Sequence, residues 1–327
     1  MSPDRVRLEI ANEEIKRLKQ ELAASKQQIA HMARAAAQHR KARSPVSIIP
    51  QKRSTARRED TIRVIIPDSH GSAIDRAAAA AFLHDLEQIA PHEIVLLGDH
   101  VDVGGHLAEH HVLGYVAQST YSYAEDIAAA NAFLDAVQRA APAATIHYIE
   151  GNHERRGETW CVTKSLRSAR DAEHLRQLYA PEFLLRLKER GIRYYRQGEF
   201  YGGLSVPGTL RLGKCYFWHG TSAAKSAAHV NVAKLGGNIV FGHTHREESV
   251  RVRPVDRGGI GAWNPGCLCK LQPLWRHTDP TSWTHGYATQ TVARSGKFLH
   301  LNIPIIDGES LFIPLASQMK HHAHEAR

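Results

Sequence analysis

The sequence predicts an α/β fold whose strands deliver polar loops to one sheet edge, and three observations predict it. Short β-branched or apolar runs alternate with helix-length segments, five of these runs end in a cluster of Asp, Asn or His, and a glycine sits beside each cluster. The chain has 327 residues, 43% hydrophobic and 23% charged, which is enough apolar content to bury a sizeable core and excludes a wholly disordered chain.

The elements justify themselves in order. From Leu8 a seven-residue register runs through Ala11, Ile15, Leu18, Leu22, Ser25, Ile29 and Met32 with charged residues between. It predicts an amphipathic helix over residues 1–36, either a coiled-coil seam for self-association or a helix packed on its own domain. Residues 37–60 carry Arg40, Lys41, Arg43, Lys52, Arg53, Arg57 and Arg58, with Pro45 and Pro50 breaking any helix. They read as a basic flexible linker, with phosphate contact to nucleic acid as the functional alternative to a solvated tether. The charge is concentrated here: residues 1–60 hold 14 Lys and Arg against 7 Asp and Glu, leaving 28 against 26 for residues 61–327.

Ile62–Ile66 is a strand ending at Pro67-Asp68-Ser69-His70-Gly71, and Ser72 with Asp75 suggests a capping box for a helix through Ile89. Glu93–Leu97 runs into Gly98-Asp99, a helix is expected over about Ala124–Ala140, and Thr145–Ile149 runs into Gly151-Asn152-His153-Glu154. Helices interrupted at Pro181 are expected over Trp160–Gly191, and strands dominate beyond Ile192. Among them Lys214–Trp218 ends at His219-Gly220 and Asn238–Phe241 at Gly242-His243-Thr244-His245. The domain so built is expected over residues 61–315, followed by a polar tail, 316–327, whose His321, His322 and His324 follow no strand.

The clusters point to metal chemistry. Asp68, His70, Asp99, Asn152, His219, His243 and His245 offer carboxylate, amide and imidazole donors suited to hard or borderline divalent cations. Seven donors exceed one ion's needs and suit two, sharing a carboxylate at the ~3.5–4 Å separation of two-metal hydrolysis. The four cysteines, Cys161, Cys215, Cys267 and Cys269, make neither a disulfide framework nor a zinc site and read as ordinary thiols.

Asp68-x-His70-Gly71, Gly98-Asp99-x-x-Asp102, Gly151-Asn152-His153-Glu154, His219-Gly220 and Gly242-His243-x-His245, in that order, resemble the five motifs of the calcineurin-like metallophosphoesterase superfamily, with Asn264-Pro265-Gly266 resembling the turn that often follows. The resemblance covers residues 62 to about 269 and implies a four-layer αββα sandwich with a dimetal centre. It assigns Asp68, His70 and His245 to one metal, Asn152, His219 and His243 to the other, and Asp99 to both. A metal-bridging hydroxide would attack phosphorus in line, His153 would assist the leaving oxygen, and Asp102 would orient His153. Mn²⁺ is the first expectation, with Fe, Zn²⁺, Co²⁺ or Ni²⁺ compatible. Glu154 reads as structural.

One departure bears on substrate. Where the superfamily's serine/threonine phosphatases have Asp-Arg-Gly, this chain has Asp102-Val103-Gly104 and lacks that arginine. Arg155 and Arg156 are candidates to replace it, since a guanidinium fork matches phosphate oxygens, and His106–Tyr123 is a candidate flap or a packed loop. A phosphodiesterase or nuclease acting on nucleic acid or nucleotides is the expected activity, with a phosphomonoesterase or a non-catalytic scaffold as alternatives. No apolar run reaches the ~18 residues of a membrane span, and the N-terminus opens on charge, so a soluble, cytoplasmic protein is expected.

Overall fold

The computed structural model describes residues 60–104, 121–164, 169–256, 258–273, 276 and 280–313, together with Lys16 and Gln20, which are helical. The chain divides into two units, Met1–Ser47 and Ile48–Arg327, and the architecture below is that of the second. The expected N-terminal helix (Lys16 and Gln20 apart), the basic linker and the C-terminal tail lie outside the described residues, as does most of His106–Tyr123.

Two sheets form the centre. The larger has seven strands: β1 (Asp60–Ile66), β2 (Glu93–Leu96), β3 (Thr145–Ile149) and β4 (Arg193–Tyr195) run parallel, and β10 (His285–Ala293), β11 (Phe298–Ile306) and β12 (Glu309–Ser310) extend it antiparallel beyond β1. The smaller has five, in the order β5 (Leu210–Leu212), β6 (Cys215–Trp218), β7 (Asn238–Phe241), β9 (Ile260–Pro265), β8 (Glu247–Val252), with β6, β7 and β9 parallel.

The central parallel strands are mainly apolar because both faces are covered, with Arg63 in β1 and His147 in β3 as buried exceptions. Alternate residues Ile65, Val95, Leu97 and Ile149 meet Phe217, Val240 and Trp263 between the sheets. Val64, Ile66, Ile94, Leu96 and Tyr148 point the other way, onto Phe82 and Leu86 of α1 (Arg76–Ile89) and Ile127, Phe133 and Leu134 of α2 (Tyr123–Ala140). The outer face of the smaller sheet packs Ile239, Phe241 and Ala262 against Ala227, Ala228 and Val232 of α6 (Ala227–Leu235). Helices, sheet, sheet and helix therefore stack as the αββα sandwich. Between β3 and β4 lie α3 (Asn152–Lys164), α4 (Ala169–Tyr179) and α5 (Pro181–Leu184). No described helix is long and apolar enough to cross a membrane.

One local expectation is corrected. Ser72 does not cap α1: it lies in a 3-10 turn, Gly71–Ala73, and the cap is Asp75, whose Oδ1 accepts from the Ala77 and Ala78 N–H groups at 3.0 Å. Asp75 stands next to the first helical residue in extended backbone, where a short carboxylate reaches the free N–H groups. Beyond Ile192 strands do dominate, and one helix not foreseen, α6, covers the smaller sheet with Ala227, Ala228, Asn231 and Val232 buried at helical spacing.

Candidate metal centre

Parallel strands end on the same edge, and here those ends carry the polar clusters. Asp68 and His70 follow β1, Asp99 and Asp102 follow β2, Asn152 and His153 open α3 after β3, His219 follows β6, and His243 and His245 follow β7. Ser69 and His70 donate their N–H groups to the Asp99 carbonyl at 3.1 and 2.9 Å, and Gly242 donates to His219 O at 3.0 Å. Four of the nine side chains stand on left-handed backbone, with φ of 53° at His70, 52° at Asp99, 72° at His243 and 57° at His245. Non-glycine residues rarely adopt this conformation, at about 1–3 kcal/mol each, and it clusters at functional sites. Gly98 supplies a turn that only glycine allows: its φ is +97°, and a Cβ there would lie 2.6 Å from Gly151 N.

The side chains converge as two neighbouring groups. In the first, His245 Nε2 lies 3.0 Å from both His70 Nε2 and Asp68 Oδ2. In the second, Asn152 Oδ1 lies 3.0 Å from His219 Nε2 and 2.8 Å from His243 Nδ1, and Asp99 Oδ2 lies 3.2 Å from His219 Nε2. The tautomers make this informative. His219 Nδ1 is 2.8 Å from the Leu97 carbonyl and must donate to it, so a neutral His219 presents a bare Nε2 to two oxygen acceptors. His70 Nδ1 is likewise 3.0 Å from Asp102 Oδ1, which turns its Nε2 lone pair toward His245. Lone pairs facing one another require either extra protons or cations between them, and this mixture of carboxylate, amide and imidazole donors fits divalent ions. Donor atoms of Asp99, His219 and His243 all lie within 4.8 Å of one another, as do those of His70, Asp99 and His153.

The electrostatics follow from burial working against pairing. Burial raises the Asp99 carboxyl, but the His219 and His153 rings outweigh it and hold Asp99 well below the usual range. Burial likewise opposes charge on His219, yet Asp99 raises that imidazole to about 10. Burial, then the His219 charge, push His243 down to about 4. His153 is raised because Asp99 and Asp102 overcome its burial, and Asp102 is lowered against its own burial by hydrogen bonds to His153 and His70.

His153 and Asp102 meet, though not simply as a carboxylate holding a ring. His153 Nδ1 donates to the Asp102 carbonyl at 2.6 Å, while Asp102 Oδ1 lies 3.3 Å from that nitrogen and 3.0 Å from His70 Nδ1. Asp102 thus stands between two imidazoles. Arg155 and Arg156 separate: Arg155 is exposed, and Arg156 places Nη1 3.0 Å from His153 Nδ1.

Four residues support the site: Glu154, read from its motif as structural, Asn264 of the Asn-Pro-Gly turn, and Asp126 and Cys269, which no motif singled out. Glu154 accepts from the N–H groups of Asp99, His100 and Gly151 and from the Tyr148 hydroxyl, at 2.6–2.9 Å, and ties the Asp99 loop to the Asn152 loop. Asp126 in α2 accepts from Ser72, Asp102 and Val103 N–H and from Tyr121 OH. Its only sequence signal is an acid in the first turn of a helix. Asn264, from the Asn-Pro-Gly turn, donates to Gly242 O at 2.8 Å and Thr244 Oγ1 at 2.9 Å and holds the loop of His243 and His245. Cys269 departs from the reading as an ordinary thiol. All four cysteines are free and buried, but Cys269 Sγ lies 3.9 Å from His245 Nδ1 and groups with His70 and His245.

No family model matches the chain, and no curated protein matches it. Among solved structures it is similar to a single mutant of Vps29 from Entamoeba histolytica, at 14% identity and a TM-score of 0.38, over 76% of this chain and 95% of that one. It is similar to the phosphoesterase YfcE from E. coli, at 16% identity and a TM-score of 0.35, over 74% and 98%. It is also similar to the NAD nucleotidase NadN of Haemophilus influenzae, at 10% identity and a TM-score of 0.35, over 81% and 55%. At such identities and scores, function has to be read from this chain's own residues.

Proposed function

We infer that the chain belongs to the calcineurin-like metallophosphoesterase superfamily and is a metal-dependent phosphoric ester hydrolase. One observation carries this reading: five strand ends, 177 residues apart between Asp68 and His245, bring carboxylate, amide and imidazole donors into two groups whose neighbouring donors lie about 3 Å apart with their lone pairs facing. Asp68, His70 and His245 would hold one divalent ion, Asn152, His219 and His243 a second, and Asp99, facing both groups, would be shared. When bound, two such ions lower the pKa of water to give a nucleophile at neutral pH and neutralise phosphoryl oxygens.

The chain's own residues supply the rest. His153, with Nδ1 committed to the Asp102 carbonyl, keeps Nε2 on the Asp99 side at 3.8 Å and holds a proton there because the two carboxylates favour the imidazolium. It is the proton donor to a leaving oxygen. Asp102 positions both His153 and His70. Arg156 presents a donor to a nitrogen that is itself donating, so its guanidinium is directed to take an acceptor from outside, and a phosphoryl oxygen is the acceptor this site would bring. Arg155, exposed, has no such role.

Within this activity the substrate is a phosphodiester, of a nucleotide or a nucleic acid. The reading is supported by the missing arginine at Val103 and by the basic run Arg40–Arg58. Hydrolysis of p-nitrophenyl phosphate and bis-p-nitrophenyl phosphate by Mn²⁺-loaded protein, beside Asp99→Asn and His153→Ala, tests it. Diester preference that both variants abolish supports a phosphodiesterase, monoester preference replaces it with a phosphatase, and no turnover by folded, metal-loaded protein overturns the hydrolase.

A further inference from the structure

β6, β7 and β9 have a second end. Opposite the histidine clusters, an open cleft of about 650 Å³ lies between the tips of the two sheets. Lys214 precedes β6 and His219 follows it, so at ~3.3 Å per residue the cleft stands roughly 16 Å from the candidate metal centre. Lys214 comes from the β5–β6 turn, Arg251 from β8 and Lys297 from the β10–β11 turn, and among the described residues lining the cleft there is no carboxylate. Trp263, Phe298 and His300 form its apolar wall. Trp263 stacks on His300 at 4.8 Å between centroids and meets Phe298 edge-on at 5.9 Å.

The walls are fixed by the fold. Asn238 at the head of β7 donates to the Lys214 carbonyl at 3.2 Å and accepts from Gly261 N at 3.0 Å, which joins two sides of the cleft. Gly261 is glycine because a Cβ there would stand 2.5 Å from Trp263 Cζ2. Lys214 and Lys297 are exposed, while His300 is buried and burial takes its imidazole down to about 4, so the aromatic wall is uncharged at neutral pH.

Three cations lining one cleft, with no carboxylate among its described lining residues, repel one another, and an anion relieves that repulsion. A volume of this size is that of a small-molecule pocket. Ring edges and faces beside the cations suit a planar aromatic group. We infer that this cleft is a nucleotide site separate from the metal centre, with phosphates on Lys214, Arg251 and Lys297 and the base against Phe298 and the edge of Trp263. The inference stands independently of the hydrolase reading.

Isothermal titration calorimetry of full-length, EDTA-treated protein with ADP, adenosine and orthophosphate tests it. ADP is expected to bind without metal and equally well to Asp99→Asn, with adenosine and orthophosphate each at least tenfold weaker. Lys214→Glu/Lys297→Glu, with unchanged circular dichroism, is expected to lose at least tenfold, and the exposed control Lys188→Glu/Lys225→Glu to lose nothing. Failure of ADP to bind metal-free protein, unchanged affinity in the cleft variant, orthophosphate as tight as ADP, or equal loss in the control would each overturn the site.

Discussion

Glu154 offers the sharpest test of how the strand ends are held together. Its Oε2 accepts the N–H groups of Asp99 at 2.8 Å and Gly151 at 2.9 Å, and its Oε1 accepts His100 N–H at 2.7 Å and the Tyr148 hydroxyl at 2.6 Å. The residue is 1% exposed, so water cannot substitute. In Glu154→Gln the amide NH₂ must face one of these donor pairs. Turned toward Oε2's partners it leaves two N–H groups unsatisfied, and turned toward Oε1's it leaves one, because the Tyr148 hydroxyl can rotate to accept. The amide takes the second orientation, so at about 1–3 kcal/mol per buried unsatisfied donor the loss is about 1–3 kcal/mol out of a total stability of about 5–15 kcal/mol. Burial, then Asp99, raise Glu154 to about 7, so urea unfolding is best followed at pH 8, where the carboxylate is ionised. The same N–H groups position the backbone of Asp99 and Asn152, so the variant should also take up less divalent metal. An extrapolated change below about 0.5 kcal/mol, with an unchanged denaturant slope and full metal content, would refute this account of the loops.

The other predictions are smaller in scope. Arg156→Ala should raise KM for a phosphate ester about tenfold or more, the worth of one charge-assisted hydrogen bond, whereas Arg155→Ala should leave it unchanged; the reverse order in steady-state kinetics would show that the wrong arginine has been assigned. Gly71→Ala places a methyl 1.9 Å from Asp126 Oδ1 at a φ of +48°, so it should destabilise by at least about 2 kcal/mol in urea unfolding, and a neutral result would mean the Asp126 junction is looser than its geometry. Burial takes His147 and His300, ordinarily near 6.5, down to about 4, so both are neutral in the folded chain and charge first in the unfolded one. Stability is therefore full above pH 6.5 and falls toward pH 4, by about 2 kcal/mol per histidine between pH 7 and pH 5. His300→Gln should flatten that dependence, which denaturation at the two pH values would detect.

How much of this was legible in the chain depends on the range of the interaction involved. Ile62–Ile66, Thr145–Ile149 and Asn238–Phe241 announce themselves as strands because both faces are buried and most of their residues are apolar. The seven candidate donors at the strand ends are legible as a group because chemistry restricts their types and the strand ends restrict their places. Ser72 misled because a serine three residues before an acid satisfies the local pattern of a cap, and only the backbone conformation at Asp75 shows which oxygen reaches the helix. Asp126 and Glu154 look like ordinary acids in first turns of helices; that each gathers four donors follows from loops arriving from elsewhere in the chain.

Tertiary structure alone separated Arg155 from Arg156, which are adjacent in sequence but turn to different sides of α3, and brought Cys269 against His245. It also assembled the basic cleft from Lys214, Arg251 and Lys297, residues that sequence shows only as scattered surface charge. The sequence by itself determined the strands, the helices and the chemical identity of the strand-end donors, because backbone preference and two-sided burial act over a few residues and repeat with a fixed period. The packing of one sheet on the other decided which atoms face each other across 177 residues of chain, since side-chain direction at a loop is set by contacts that no local pattern contains.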